Sequence, residues 1–255
     1  RPALSELLLG RNAVREALRA QRRTVTQVLL AQGMEPSGIV TEIVALCQQA
    51  SVPIRQVARE ELNRLGGEIP HQGVAAQVSP YPMVDYDEIF DLARERGEAP
   101  FILALDSVQD PQNVGSLLRS AEAVGVHGVL IPKRRAAGIT PAVSRASAGA
   151  VEHLRIATVT NLARTLEALK RQDVWVVGVE DHPRAQDYDA VDLAVPLALV
   201  LGGEGSGLGR LIAERCDLLV RLPMRGRINS LNVAAAGAVI LYQAWGTRRR
   251  RRENA

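Results

Sequence analysis

Three stretches of the 255-residue chain mix glycine with amide, hydroxyl and charged side chains in a pattern that could hold a ligand and act on it. Asp106–Ala121 carries Asn113 and Arg119. Leu201–Gly209 sets one carboxylate, Glu204, among five glycines. Pro223–Gly237 places Ser230 and Asn232 ahead of an apolar run. Amides and hydroxyls orient a polar ligand, a guanidinium grips an anion through its planar fork, and glycine lets the backbone approach closely. Taken singly, each has a plain alternative: a cap for Asn113, Ser230 or Asn232, a solvated face for Arg119, a flexible turn for the glycines. Shared character across three bends weakens those alternatives together.

Several chemistries are excluded or disfavoured. There is no HExxH, no GxSxG and no clustering of the four histidines, His71, His127, His153 and His182. Cys47 and Cys216 lie far apart without CxxC spacing, so neither a zinc site nor a disulfide framework is expected. The 201–209 segment fits neither GxGxxG nor GxxxxGK(S/T), which disfavours a standard dinucleotide fold and a phosphate-loop NTPase.

The elements that must position these bends can be read from periodicity. Residues 1–79 predict a small α/β domain: helices over 11–21, 36–50 and 59–65, and strands over 25–31, 53–57 and 73–79. Residues 80–99, with two prolines, an acidic helix-like patch and Gly97, read as a linker. From residue 100 to 246 the β/α alternation is stronger. Strands are predicted over 101–105, 128–131, 155–159, 174–179, 196–201 and 217–222, and helices over 114–124, 140–148, 162–172, 208–214 and 231–245. Most of these strands are unbroken apolar runs, which a parallel sheet covered on both faces requires. Each bend then follows a strand and enters a helix, so the three should meet at the carboxyl edge of one sheet.

Composition sets the outer limits. With 47% hydrophobic and 23% charged residues, the chain is long enough to bury a core without disulfides or metal. No apolar run could span a membrane, and the N-terminal apolar stretch is too short for a signal peptide, so a cytoplasmic address is expected. Net charge is +2 over 1–79, −4 over 80–99, +1 over 100–246 and +4 over the tail 247–255. Arginine carries nearly all of the basicity, since Lys133 and Lys170 are the only lysines. Such a balance allows a nucleic-acid partner without establishing one. Arg11, Arg15, Arg22 and Arg23 are candidates for RNA docking, and the run Arg248–Arg252 reads either as a flexible phosphate clamp or as an incidental tail.

Asp110–Ala121, Leu199–Gly207 and Pro223–Ala236 resemble, in order, the motifs DPxNxGxxxRxA, LxxGxExxG and PMxGxxxSLNVAxA of the SpoU (TrmH) RNA ribose 2′-O-methyltransferases of the SPOUT superfamily. Ser147–Gly149 is also typical of them, and Gly10–Asn12 and His71–Ala75 resemble their substrate-binding domain. The resemblance spans nearly the whole chain, and the two-domain layout is most similar to members that methylate a guanosine ribose of 23S rRNA. It implies a catalytic parallel α/β sheet closed by a deep trefoil knot, a rare exception to unknotted topology. It also implies S-adenosyl-L-methionine as methyl donor, a homodimer formed through the knot domain, and no metal. By position, Gly202, Leu222, Met224 and Leu231 should surround the cofactor, while Asn113, Arg119, Glu204, Ser230 and Asn232 should line the transfer site.

A ribose 2′-hydroxyl is a weak acid and a poor nucleophile, so such a site must orient it and help its proton leave. A general-base role has been proposed for the arginine matching Arg119, but a guanidinium keeps its proton in proteins. Gripping the neighbouring phosphate and stabilising developing negative charge suits it better. Three alternatives stay open on sequence: the same chemistry on tRNA, the same chemistry at another rRNA site as antibiotic self-protection, or a non-catalytic RNA-binding assembly factor.

Overall fold

The computed structural model describes residues 5–35, 38–134, 136–228 and 230–254. Pro36, at the expected start of the second helix, and Asn229, within the third motif, lie outside them. In chain order the elements begin with β1 (Glu6–Leu9), α1 (Arg11–Ala20), β2 (Val25–Ala31), α2 (Ile39–Gln49), β3 (Ile54–Val57), α3 (Arg59–Gly66), β4 (Val74–Val78) and α4 (Asp87–Glu95). There follow β5 (Phe101–Asp106), α5 (Pro111–Ala123), β6 (Gly128–Pro132), α6 (Pro141–Ala146), a 3-10 turn (Ala150–His153), β7 (Ile156–Val159) and α7 (Leu162–Lys170). The last are β8 (Trp175–Val179), β9 (Gln186–Asp187), β10 (Leu197–Gly202), α8 (Arg210–Arg215), β11 (Leu218–Arg221) and α9 (Val233–Glu253).

The chain divides into two compact units, residues 1–82 with 139–153, and residues 83–138 with 154–255. In the smaller unit a mixed sheet runs β1-β4-β2-β3, with β2 and β3 parallel and the other pairs antiparallel. Alternation along the strands sends Leu8, Val28, Leu30, Val74 and Ala76 to one core and Leu9, Leu29, Ala31, Val57 and Ala75 to the other. Helices α1 and α2 cover the first face through Val14, Leu18, Val40 and Ile43, and α3 covers the second through Leu62.

Among the described residues the larger unit has seven parallel strands in the order β7-β6-β5-β10-β8-β11-β9. Every residue of β5 and β10 is buried, which is why those strands show no polar alternation. Their register pairs Gly202 with Asp106, and β8 and β11 continue it by pairing Leu201 with Val179 and Val179 with Val220. The bends after β5, β10 and β11 therefore leave one edge of the sheet together.

Four expectations are corrected. The segment 139–153, read as part of the second domain, folds with the first: His153 Nε2 lies 2.8 Å from Glu16 Oε2, and buried Glu152 pairs with Arg23 at 3.1 Å. Residues 83–99 are packed structure and not linker. Val84 N–H donates to Ile156 O, and Ile89 and Phe90 enter the core of the larger unit with Leu130 and Ala157. The basic tail continues α9 as helix to Glu253, and Arg248 is buried. The proposed docking arginines of the first unit are largely engaged internally: Arg23 holds Glu6 and Glu152, Arg22 reaches Tyr81 and the Pro82 carbonyl, Arg15 pairs with Glu16, and Arg11 donates to Gln72 O. Strands β1 and β9 are additional to the elements expected from periodicity; both are short and lie at the sheet edges.

Candidate active site

The end of β5 sets the first side of the site. Asp106 is buried, and its carboxylate accepts the Gly209 N–H at 2.7 Å and the Ser107 hydroxyl at 3.3 Å, tying this bend to the glycine-rich one. Helix α5 is capped by Asp110, which accepts the N–H groups of Gln112 and Asn113, with Pro111 in the first turn. Asn113 is thus not the cap. Its side chain is free to turn inward, and it is 7% exposed.

The glycine-rich bend closes on itself. Gly207, with φ +61, donates its N–H to Gly203 O at 3.0 Å. A Cβ on Gly202 would lie 2.2 Å from the Gly207 carbonyl, so this crossing admits no side chain. That closure projects Glu204 toward the other two bends. Asn113 Nδ2 donates to Glu204 Oε1 at 2.7 Å, and Asn232 Nδ2 donates to the same oxygen at 2.7 Å and to Asn113 Oδ1 at 2.9 Å. Because a carboxylate only accepts, it fixes the orientation of both amides. Asn232 has a second task. Its Oδ1 accepts the N–H groups of Ala234 and Ala235 and so caps α9, a helix of 21 residues.

This cluster separates two depressions. On one side a cleft of about 610 Å³ is bordered by Gly202, Leu222, Met224 and Leu231, with Ser230, Asn232 and Glu204 on its wall. Two further carboxylates, Glu180 and Asp181, reach it. On the other side, about 360 Å³ lies between Ser107, Gln109, Asp110, Asn113, Glu204 and Ser206. Of the nine expected site residues, all but Arg119 thus border the two depressions. Six residues beyond Asn113, Arg119 has turned about 240° around α5 and advanced about 9 Å. It is exposed, and among the described residues its side chain makes no hydrogen bond or ion pair. Asp106, Glu180 and Asp181 were not expected at the site. A carboxylate ending an all-apolar strand was the available signal for Asp106.

Residues 100–242 match the SpoU rRNA Methylase family, and residues 7–84 match the RNA 2′-O ribose methyltransferase substrate-binding family. The chain belongs to the SpoU rRNA methylase family. It is an S-adenosylmethionine-dependent RNA ribose 2′-O-methyltransferase. The Bacillus subtilis protein YacO, named for the TrmH family of tRNA/rRNA methyltransferases, is 42% identical over 244 residues, which are 95% of this chain and 96% of that one. Among solved structures, the SpoU methyltransferase AviRb from Streptomyces viridochromogenes superposes with a TM-score of 0.80 at 26% identity, covering 96% of this chain and 90% of its own. The same protein in complex with AdoMet gives a TM-score of 0.78 at 25% identity, covering 98% and 92%.

The SpoU cleft fits its methyl donor on its own features. Its volume suits a ligand of that size. The tight 202–207 turn offers backbone groups without side chains, Leu222, Met224 and Leu231 supply apolar walls, and Glu180, Asp181 and Glu204 complement a cationic sulfonium. Among the described residues, no group of three His, Cys, Asp or Glu side chains could hold a metal, and no helix is long and apolar enough to cross a membrane.

Proposed function

We propose that this SpoU enzyme methylates the 2′-hydroxyl of a guanosine in 23S rRNA, acts as a homodimer, and does its chemistry at the Asn113–Glu204–Asn232 cluster. The observation carrying this reading is that one cluster walls both a donor-sized cleft and a second, polar depression. A cofactor in the first and a nucleotide in the second would meet across Glu204. S-adenosylmethionine, when bound, supplies a methyl group already activated by its positive sulfur.

The chain's own residues then have three tasks. Asn113 and Asn232 lock Glu204 through its Oε1, leaving its second carboxylate oxygen to accept a hydrogen bond from the ribose hydroxyl. Ser230 helps close the cleft beside Asn232. Arg119, its side chain exposed and without a partner among the described residues, grips an RNA phosphate outside the cluster and so helps hold the nucleotide in place. Holding the hydroxyl in line contributes by removing translational and rotational freedom before the reaction. Gly202, Leu222, Met224 and Leu231 contact the cofactor. The knotted threading implied for this family belongs to the same reading, as does the division of labour in which the smaller unit selects RNA.

Dimerisation is supported by an apolar surface on α9 and the loop before it. Val239 and Tyr242 lie one turn apart and exposed, and Met224, Ile228 and Leu231 are exposed nearby in sequence. Tyr242→Glu should turn a dimer into a monomer in sedimentation; a wild-type monomer would remove this part of the reading. The substrate is tested by mapping 2′-O-methyl marks on total RNA from cells with and without the gene. Loss of one guanosine mark from 23S rRNA is expected. Loss confined to tRNA would overturn the rRNA assignment.

A further inference from the structure

The amino ends of the same parallel strands carry a second concavity, away from the amide–carboxylate cluster. It encloses about 330 Å³ between the residues after α4, the first residue of β5, the end of α5 and the last turns of α9. Arg96, Arg248, Arg249 and Arg252 border it against two carboxylates, Glu98 and Glu122. The four guanidiniums are not equivalent. Arg248 is buried and bonded to the carbonyls of Ala99, Pro100 and Val195, and Arg252 lies 3.0 Å from Glu98. Arg249 has only a 3.7 Å approach to Glu253, both side chains more than half exposed, and such a pair contributes little. Arg96 is exposed; its backbone N–H donates to Leu92 O, and its side chain makes no hydrogen bond or ion pair with another described residue.

An aromatic wall accompanies this charge. Trp245 is 36% exposed, and the Arg249 guanidinium lies 5.0 Å from its ring centroid. Positions 245, 249 and 252 fall on one side of α9 by helical spacing. The Tyr242 ring packs edge-on 5.9 Å from the indole, on the side toward the start of the helix, and Arg252 is held by Glu98. That leaves the exposed part of the indole and the Arg249 guanidinium presented together. Planar guanidinium forks match phosphate oxygens, and an indole matches an unpaired base. An acidic protein surface would use the first and have no need of the second.

We propose that this concavity binds the backbone of a single-stranded stretch of RNA, with Arg96 and Arg249 on phosphates and a base stacked against Trp245. The proposal rests on the chain acting on RNA, not on which RNA. Asn232 and Arg252 are twenty positions apart along α9, about 30 Å at helical rise, so this surface holds a different part of the RNA from the nucleotide being methylated. It gives the catalytic unit its own grip on substrate, of the sequence-independent kind.

The test titrates a short fluorescein-labelled single-stranded RNA at several salt concentrations into the wild type and Arg96→Gln/Arg249→Gln. The double variant should weaken binding, and its plot of log affinity against log salt should be shallower by about 1.4, or about 0.7 for each phosphate that is no longer neutralised. Unchanged affinity and slope would overturn the proposal. So would a poly-glutamate peptide that binds as tightly as the RNA and weakens equally in the variant, because the site would then take acidic protein. Should the double variant fail to fold, Trp175→Phe leaves Trp245 as the sole tryptophan of the chain. Its emission should then be quenched by the same RNA, and unaltered emission would overturn the base stacking and with it the site. Calorimetry with S-adenosylmethionine separates this assignment from that of the transfer site: a wild type that binds none strikes at the transferase and leaves the salt slope untouched.

Discussion

The two edges of the parallel sheet are built from opposite materials. At the carboxyl edge the working groups are two amides, one carboxylate and bare backbone, held within 2.7–2.9 Å of one another. At the amino edge they are long guanidinium side chains around an indole, two of them, Arg249 and Arg252, more than half exposed. One helix, α9, joins both: Asn232 begins it, and Arg248 fastens its far end to the carbonyls before β5 and β10. Short polar side chains on closed turns lose little freedom when they act and can fix a reacting atom. Long charged ones keep their freedom and suit a partner whose shape varies. Precision and tolerance are thus assigned to different edges of one sheet.

The largest effect should come from the carboxyl edge. Gly202→Ala places a methyl group where only 2.2 Å is available to the Gly207 carbonyl, and we expect S-adenosylmethionine affinity to fall at least about 100-fold by calorimetry, a loss of about 2.7 kcal/mol. Nearly normal affinity would mean the turn is not the cofactor cradle. Next, Arg119→Lys should lower methyl transfer by roughly 10–100-fold while cofactor affinity holds, since a point charge cannot reproduce a two-pronged grip on phosphate. Turnover near the wild-type rate would remove the fork from the mechanism.

The amino edge should respond in stability and not in catalysis. Burial, with Arg252 and Arg251 nearby, pulls the Arg248 pKa down to about 10, and its stacked guanidinium lies 4.6 Å from the Phe101 ring centroid. Arg248→Met removes the guanidinium from the partly buried Ala99, Pro100 and Val195 carbonyls, of which Pro100 keeps the Leu197 N–H, and should cost about 1–3 kcal/mol. Arg250→Ala, on an exposed part of the same run, should stay within about 0.5 kcal/mol. Equal losses would show that the whole run is structural. Thermal melting distinguishes the outcomes.

The smallest effect is a pH dependence shared by both units. His127 accepts the Phe101 N–H at Nδ1, so its proton sits on Nε2 facing Glu98; His71 accepts the Gly73 N–H in the same way and faces Asn63. Burial lowers both pKa values below 6.5, Arg96 adding to it at His127 and Arg59 at His71. The unfolded chain then binds more protons, so stability is full above pH 6.5 and declines as pH falls through that value toward the lower folded ones. His127→Gln should flatten part of this decline in urea melts between about pH 7.5 and 5.5. An unaltered profile would assign the effect to His71 or to other groups.

Much of the fold was legible in the chain. The continuous apolar runs of β5 and β10 and the helically spaced apolar residues of α1 and α2 marked their elements to within a few residues, because burial on a sheet or helix face imposes a period. Asn113, Glu204 and Asn232 stood out as polar residues at strand-to-helix bends. What failed were the arginines. Arg23 and Arg248 looked like surface charge, yet both are buried, because a guanidinium carries five donors on a flexible stem and can satisfy distant carbonyls or carboxylates that no local pattern announces.

Residue types and their periods alone settled the parallel strands, the order of the three bends and the chemistry those bends could support, since each depends on neighbours in the chain. Which oxygen of Glu204 the amides share, the exclusion of Arg119 from that cluster, and the engagement of residues 139–153 with the smaller unit were decided only in three dimensions. They depend on register and helical phase, and on partners up to 137 residues away, as His153 is from Glu16. A single strand or helix carries no record of such distances.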